Sequence, residues 1–335
     1  MQLQLNCNFY TFFFSKCYVQ PSQFILGLGY EIPENYTNVK RMMELLGIDR
    51  FSCCFSCDLK MVSIILGIQP IGATYSCPYC ECNSNDWNDQ APLRTLGSIR
   101  KNSTNFQTHD RDRANLKHYK NCEFEPIIAG ENHELTIDLV VPPQCHILMG
   151  IANHILVECK KRLLALDPKG SFLKRLEALL QKNGITGTVN GPHRGLIGPE
   201  ADKLCLISDE VFKILPSTAK CFAIALKKLR EVQDACLGLL LMGNWRTKIR
   251  EFEDAFRDLH ISMTLKVHIL VHDIPRFLGR PNMKPLGYFT EQQFESVHAD
   301  YATTFRNFKI PRDPENDNFG QKLLDSVIHY NSNHI

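Results

Sequence analysis

The residues best suited to chemistry are two cysteines, Cys77 and Cys80, separated by a Pro-Tyr dipeptide. A spacer of two residues lets both thiols point at one ion, and the proline stiffens the turn between them. The pair is half of a tetrahedral zinc site, so its other ligands must come from elsewhere in the chain. One carboxylate, Asp58, lies upstream of this pair at the head of the apolar segment Met61 to Ile68.

Two histidines, His268 and His272, stand four residues apart in the segment Lys266 to Asp273. They share a face if the segment is a helix, and also if it is a strand, because the spacing is even. Either geometry could bring them to Cys77 and Cys80 and complete a Cys2His2 zinc site. The spacing is equally compatible with an alternative, in which both histidines lie at the edge of the core and make ordinary hydrogen bonds.

A third cluster of ionisable residues follows Thr290, which is suited to cap a helix running to about Phe305. In that helix Glu291, Glu295 and His298 fall on one face. Carboxylates so placed could hold a hard cation such as Mg²⁺, with the histidine positioning a reacting oxygen. Taken alone, the pattern favours the alternative of a solvated helix face with acidic residues in its first turn.

Composition limits the function classes. The chain has 335 residues, a net charge of +2 and 14 cysteines. No apolar run reaches the roughly 18 residues of a membrane span, and no basic flank marks a signal peptide, so no membrane partner is expected. Several cysteines lie in apolar, helical-looking segments, which favours a reducing intracellular compartment, nuclear or cytoplasmic. A cysteine enzyme built on the adjacent Cys145 and His146 is disfavoured, because neighbouring side chains rarely face each other.

The apolar periodicity predicts the elements that must position these residues. It indicates a helix from Tyr36 to Gly47, a strand in Phe51 to Cys57 that ends before Asp58, and a helix from Leu59 to Gly67. A long polar loop, or a region partly ordered by a ligand, is expected over Asn83 to Glu131, then a strand over Leu135 to Val141. Helices are expected over four later segments: Cys145–Leu166, Phe172–Lys182, Ile214–Met242 and Ile249–Leu259. A glycine-rich connector interrupts them, and a short α/β return follows Ser262.

A series of short motifs occurs in order along the chain. It consists of Asp58-Leu59-Lys60, Gly67, Cys77-Pro78-Tyr79-Cys80, Leu96-Gly97-Ser98-Ile99-Arg100, Pro142-Pro143 with His146, Lys266 to Leu270, and Glu291-Gln292 with Glu295. This order resembles the catalytic half of eukaryotic cut-and-paste DNA transposases of the KDZ and CACTA-like kind, and transposon-derived reading frames related to them. The resemblance covers roughly Phe51 to the C-terminus.

The resemblance implies an α/β fold of RNase H-like type, a mixed sheet flanked by helices, with a helical insertion before the last catalytic acid. Four divisions are expected. Residues 1–50 are a truncated N-terminal part of the RNase H-like domain, 51–142 its core with the Cys-x-x-Cys pair and the polar loop, 143–261 the helical insertion, and 262–335 the return of the core with the acidic helix. The family cleaves DNA with three acidic residues and two magnesium ions. Asp58 would be the second acid, and Glu291 or Glu295 the third.

The family's first aspartate has no counterpart, since no aspartate precedes Asp49. We therefore expect a truncated, catalytically defective transposase-like protein whose partner is DNA, with the question of a homo-oligomer left open. The alternative is a non-enzymatic nuclear module, stabilised by structural zinc at Cys77, Cys80, His268 and His272, that binds DNA or another protein.

Overall fold

The structure is a computed structural model that describes residues 33–48, 54–69, 72–87, 90–187, 195–281, 283–289, 301, 303–308 and 318–333. Most of these residues are helical, and two short strands pair in parallel. This combination agrees with the α/β class in its coarse form. The described residues contain no larger sheet, so the RNase H-like arrangement and the four divisions of the chain stay predictions.

The first elements form where the sequence predicts them. Helix α1 spans Tyr36–Leu45, strand β1 spans Phe55–Ser56 and helix α2 spans Leu59–Leu66. Helix α2 begins after Asp58, whose carboxylate accepts a hydrogen bond of 2.8 Å from the backbone N–H of Met61. It ends at Gly67, which adopts the left-handed conformation with φ 69° that favours glycine. Asp58 therefore lies just past β1, as the sequence indicates.

The predicted polar loop over Asn83 to Glu131 is wrong, because this stretch contains helix α3 (Leu96–His109) and a 3₁₀ helix (Arg113–Tyr119). Helix α3 buries a narrow stripe made of Leu96, Ile99, Ser103 and Phe106, and its remaining positions are polar. Thr95 and Ser98 form a reciprocal capping box at its start. A stripe this narrow in a polar sequence gives little apolar periodicity, which explains the error.

The predicted strand over Leu135 to Val141 is half right. Thr136–Leu139 forms one helical turn, α4, and only Val140–Val141 forms strand β2. Val140 pairs with Phe55, and Val141 with Ser56.

The helical character predicted for the middle of the chain is confirmed, with two corrections. The single helix expected over Ile214–Met242 is broken at Leu215 and Pro216 and ends at Leu237. Two further helices, over Gly198–Leu206 and Ser208–Ile214, form where none is predicted. The helical middle comprises α5 (Gln144–Leu166), α6 (Ser171–Lys182), α7 (Gly198–Leu206), α8 (Ser208–Ile214), α9 (Lys220–Val232) with a π-helical turn at Gln233–Leu237, and α10 (Trp245–Arg257). Helix α9 packs against α5, α7, α8 and α10, so it lies at the centre of this helical core. No helix in the described part of the chain is long and apolar enough to cross a membrane.

The return after Ser262 is helical in its described part, and the expected strand there is absent from residues 262–281. Helix α11 (Leu265–His268), a π-helical turn (Ile269–Asp273) and helix α12 (Ile274–Leu278) follow one another directly. Thr264 caps α11 by accepting from the N–H of Val267. The helix expected from Thr290 lies mostly outside the described residues, as do Glu291, Glu295 and His298.

Candidate metal centre

Four buried side chains from two distant parts of the chain meet at one point: Cys77, Cys80, His268 and Asp273. Their ligand atoms all lie within 4.8 Å of one another, and each residue is fully shielded from solvent. We call these four residues the Cys–His–Asp group. It is the only set of three or more such side chains, within the residues that the structure describes, that could hold a metal ion.

The distances within the group fit a small tetrahedral ion. Cys80 Sγ lies 3.2 Å from His268 Nε2, Cys77 Sγ lies 3.3 Å from Asp273 Oδ2, and His268 Nε2 lies 3.6 Å from the same oxygen. Metal–ligand bonds of about 2.0–2.3 Å separate the ligand atoms of a tetrahedron by about 3.3–3.8 Å. Small side-chain adjustments would therefore let all four atoms bind one ion.

The loop that carries the two cysteines is held from behind by Arg94, a completely buried arginine. Its Nε donates to the carbonyl oxygens of Cys77 at 2.8 Å and Cys80 at 3.1 Å. Its Nη2 donates to the carbonyls of Tyr75 at 2.8 Å and Lys120 at 2.9 Å. One guanidinium thus fixes the backbone at both ends of the Cys-x-x-Cys turn, which leaves the two thiols aimed at the opposite segment.

Inside the turn, the N–H of Tyr79 donates to Cys77 Sγ at 3.4 Å, and the Thr136 hydroxyl donates to the carbonyl of Pro78 at 2.7 Å. A backbone N–H directed at a sulfur stabilises the thiolate form that binds metals. All 11 cysteines of the described ranges are free thiols, so no disulfide ties up this pair.

The opposite segment is positioned by the π-helical turn. The N–H of Ile274 bonds to the carbonyl of Ile269, five residues back, and not to the residue four back. Pro275 follows directly and has no N–H to continue the α-helical pattern, which is consistent with a wider turn at this point. The wider turn brings the fifth residue after His268 toward the same side, so that Asp273 faces the site with it.

Burial and mutual charge set the protonation of the group. The pKa of Cys80 is lowered, first by its hydrogen bond with Cys77 and then, against the effect of burial, by the imidazole of His268. Burial raises the pKa of Cys77 well above its usual value, and the hydrogen bond with Cys80 and the charge of Asp273 raise it further. Burial and the negative charge of Cys80 raise the pKa of Asp273 to about 7. Burial thus disfavours further negative charge on Cys77 and Asp273, and a divalent cation would supply the positive charge that lets both groups lose their protons.

The sequence predicts three of these four residues as ligands, but not the fourth. The structure brings Cys77, Cys80 and His268 together, but the fourth side chain is Asp273, where the sequence suggested its neighbour His272. The His272 ring lies 5.0 Å from the His268 ring, centroid to centroid, and lines an adjacent cleft. The signal for Asp273 was Pro275, since a proline two residues on favours a break in the i, i+4 register.

The predicted magnesium site finds no support. Asp58 caps α2 and does not belong to the Cys–His–Asp group. Its separation from Glu291 and Glu295 is not defined, because both glutamates lie outside the described residues.

Comparison with models of known protein families finds none that matches this chain, and no curated protein matches it either.

Proposed function

We propose that this chain is a zinc-stabilised binding module of transposase-like ancestry, rather than an enzyme that cuts DNA. The observation that carries the proposal is the buried Cys–His–Asp group. Its donors come from positions nearly 200 residues apart, 188 between Cys80 and His268. An ion held there would fasten the Cys-x-x-Cys loop to the segment between α11 and α12.

The donor set selects zinc over magnesium. Two thiolates and an imidazole are soft or intermediate ligands that favour zinc, whereas magnesium prefers oxygen ligands and keeps several waters. Four protein ligands and complete burial are typical of a structural site, because a catalytic zinc keeps one position open for water or substrate. We therefore assign the ion a structural role, with Cys77, Cys80, His268 and Asp273 as its ligands.

Strand cleavage is not part of the proposal. The Asp58 carboxylate already accepts the Met61 N–H as a helix cap. The ordered motifs support only ancestry. DNA is the partner that this ancestry suggests, and the nucleus is the compartment where the module would meet it.

Metal analysis of freshly purified, reduced protein tests the zinc assignment. We expect stoichiometric zinc in the natural protein and its loss in a Cys77→Ser, Cys80→Ser double variant. Cys82→Ser is the matched control, since Cys82 is a buried cysteine of the same loop outside the group. Zinc-free natural protein, or equal zinc in the double variant, would contradict the assignment.

A nuclease assay tests the other half of the proposal. Intact and nicked DNA are incubated with the protein and Mg²⁺ or Mn²⁺, and we expect no cleavage above a protein-free control. Reproducible cleavage that disappears in Asp58→Ala would show that the chain is an active enzyme.

A further inference from the structure

Beside the Cys–His–Asp group lies a cleft of about 500 Å³ whose walls are rich in arginine. Arg246, Arg250 and Arg257 reach it from α10, Arg276 reaches it from α12, and Trp87 and His272 also line it. We call it the arginine cleft. Glu253 is the only acidic residue that lines it in the described structure, so the cleft carries a clear excess of positive charge.

Two of the four arginines are already matched with carboxylates. Arg257 donates from Nε to Glu253 at 3.1 Å and from Nη2 at 2.6 Å. Arg276 donates to Oδ1 of Asp273 at 3.0 Å. Arg246 and Arg250 lie within ion-pair distance of no carboxylate among the residues that the structure describes. Arg246 instead packs its guanidinium over the Trp245 ring at 4.3 Å.

The helix gives these arginines little freedom to move apart. Helix α10 buries Trp245, Ile249, Phe252 and Phe256 against the core, which fixes its rotation about its own axis. Arg246 and Arg250 stand four residues apart, so they are neighbours on one face and repel each other. An anion bound between them would replace this repulsion with attraction.

We propose that the arginine cleft binds the phosphate group of a nucleotide, either free or within a nucleic acid strand. Guanidinium groups match phosphate oxygens in planar, paired hydrogen bonds, which is why arginine recurs at phosphate sites. Trp87 supplies an aromatic surface on the wall of the same cleft, and bases stack on such surfaces regardless of sequence.

The cleft is joined to the Cys–His–Asp group through two contacts. The Trp87 ring lies 4.7 Å from the His268 ring, and Arg276 bonds to Oδ1 of Asp273, whereas Cys77 bonds to its Oδ2. Zinc binding would hold both walls in place. The inference deepens the proposed function by giving the module a ligand class, but phosphate binding is measured independently of zinc content.

The test uses the full chain in its zinc-replete form and three probes: fluorescein-labelled oligothymidylate by anisotropy, and thymidine 5′-monophosphate and inorganic phosphate by calorimetry. For every probe that the natural protein binds, Arg250→Gln should lower the affinity by about tenfold, which is the usual effect of losing one charge-assisted hydrogen bond. For oligothymidylate it should also reduce the slope of log affinity against log salt by about 0.7, the value for one lost contact on a single strand.

Lys227→Gln is the matched control, because it removes one positive charge from an exposed ion pair with Asp209 outside the cleft. It should leave affinity and salt slope nearly unchanged. Arg250→Lys should recover part of the affinity, and Trp87→Phe should weaken the two nucleotide probes but not inorganic phosphate.

Tighter binding of oligothymidylate than of the mononucleotide would identify a strand as the ligand, and the reverse would identify a free nucleotide. Either result supports the proposal if Arg250→Gln lowers the affinity for the probe that binds more tightly. Three results would overturn it: no binding of any probe at millimolar concentration, equal losses in Arg250→Gln and Lys227→Gln, or binding of inorganic phosphate alone. Zinc content, measured on the same samples, shows separately whether the metal assignment stands.

Discussion

Replacing Arg94 with lysine is expected to destabilise the protein strongly while keeping its charge. The Arg94 side chain is fully buried, and its Nε alone satisfies the carbonyl oxygens of Cys77 and Cys80. A lysine ammonium is a compact donor at the end of a flexible stem and cannot reproduce this fork. It would leave these two buried carbonyls without their donor.

The magnitude follows from those two groups. A buried acceptor left without a partner costs about 1–3 kcal/mol, so losing both gives about 2–6 kcal/mol in the free energy of unfolding. The contacts of Arg94 to Tyr75 and Lys120 are only partly buried, so water can replace part of them.

The assay is urea unfolding followed by circular dichroism. Arg100→Lys is the matched control, since Arg100 bonds to the carbonyl of Gly130 and the side chain of Asn132 at a more exposed position, and should cost about 1 kcal/mol. If Arg94→Lys were no more destabilising than Arg100→Lys, the buried guanidinium would not hold the cysteine loop, and the account of how the group is positioned would fail.

Three further outcomes are expected. Asp273→Asn should weaken zinc binding at least about tenfold in a competition titration with a chelator, while His272→Gln should not; the reverse order would restore His272 as the ligand. Burial alone would raise the pKa of Glu200, but hydrogen bonds from Thr186, Ile197 and Gly187 lower it below its usual value near 4.5. The Glu200 carboxylate therefore stabilises the fold above pH 4.5, and this stabilisation is lost as the pH falls through the lower pKa of the folded state. Glu200→Gln should therefore flatten the dependence of the free energy of unfolding on pH below about 4.5, and an unchanged pH dependence would refute this. Gly47 and Gly67 both adopt the left-handed backbone conformation, but only at Gly67 would an alanine methyl group meet backbone, 2.2 Å from the Phe124 oxygen. In urea unfolding, Gly67→Ala should therefore lower the free energy of unfolding by about 1–3 kcal/mol more than Gly47→Ala, and equal losses would contradict this.

The local elements near Asp58 could be predicted because each signal there is strong and short-ranged. A capping carboxylate, an apolar run and a left-handed glycine mark both ends of α2 without help from the rest of the fold. Helix α3 could not be predicted in the same way. Its buried stripe includes Ser103, and its burial depends on packing partners that the sequence does not reveal.

The metal centre was predictable in part for a similar reason. The Cys-x-x-Cys spacing indicates a pair of metal ligands by itself. The histidine pair His268 and His272 is distant in sequence, but imidazoles are common zinc ligands, so it suggested the partners. The choice between His272 and Asp273 depends on one π-helical turn, and the only sign of that turn in the sequence is Pro275. Arg94 gave no signal, because its role depends on five acceptors that meet only in the folded chain.

X-ray absorption at the zinc edge of freshly purified, reduced protein tests the central claim most directly. We expect stoichiometric zinc with two sulfur ligands at about 2.3 Å and two nitrogen or oxygen ligands at about 2.0–2.2 Å. Asp273→Asn should alter the nitrogen and oxygen shell and leave the sulfur shell intact. A zinc-free protein, or an ion surrounded by oxygen and nitrogen alone, would show that the Cys–His–Asp group is not a zinc site.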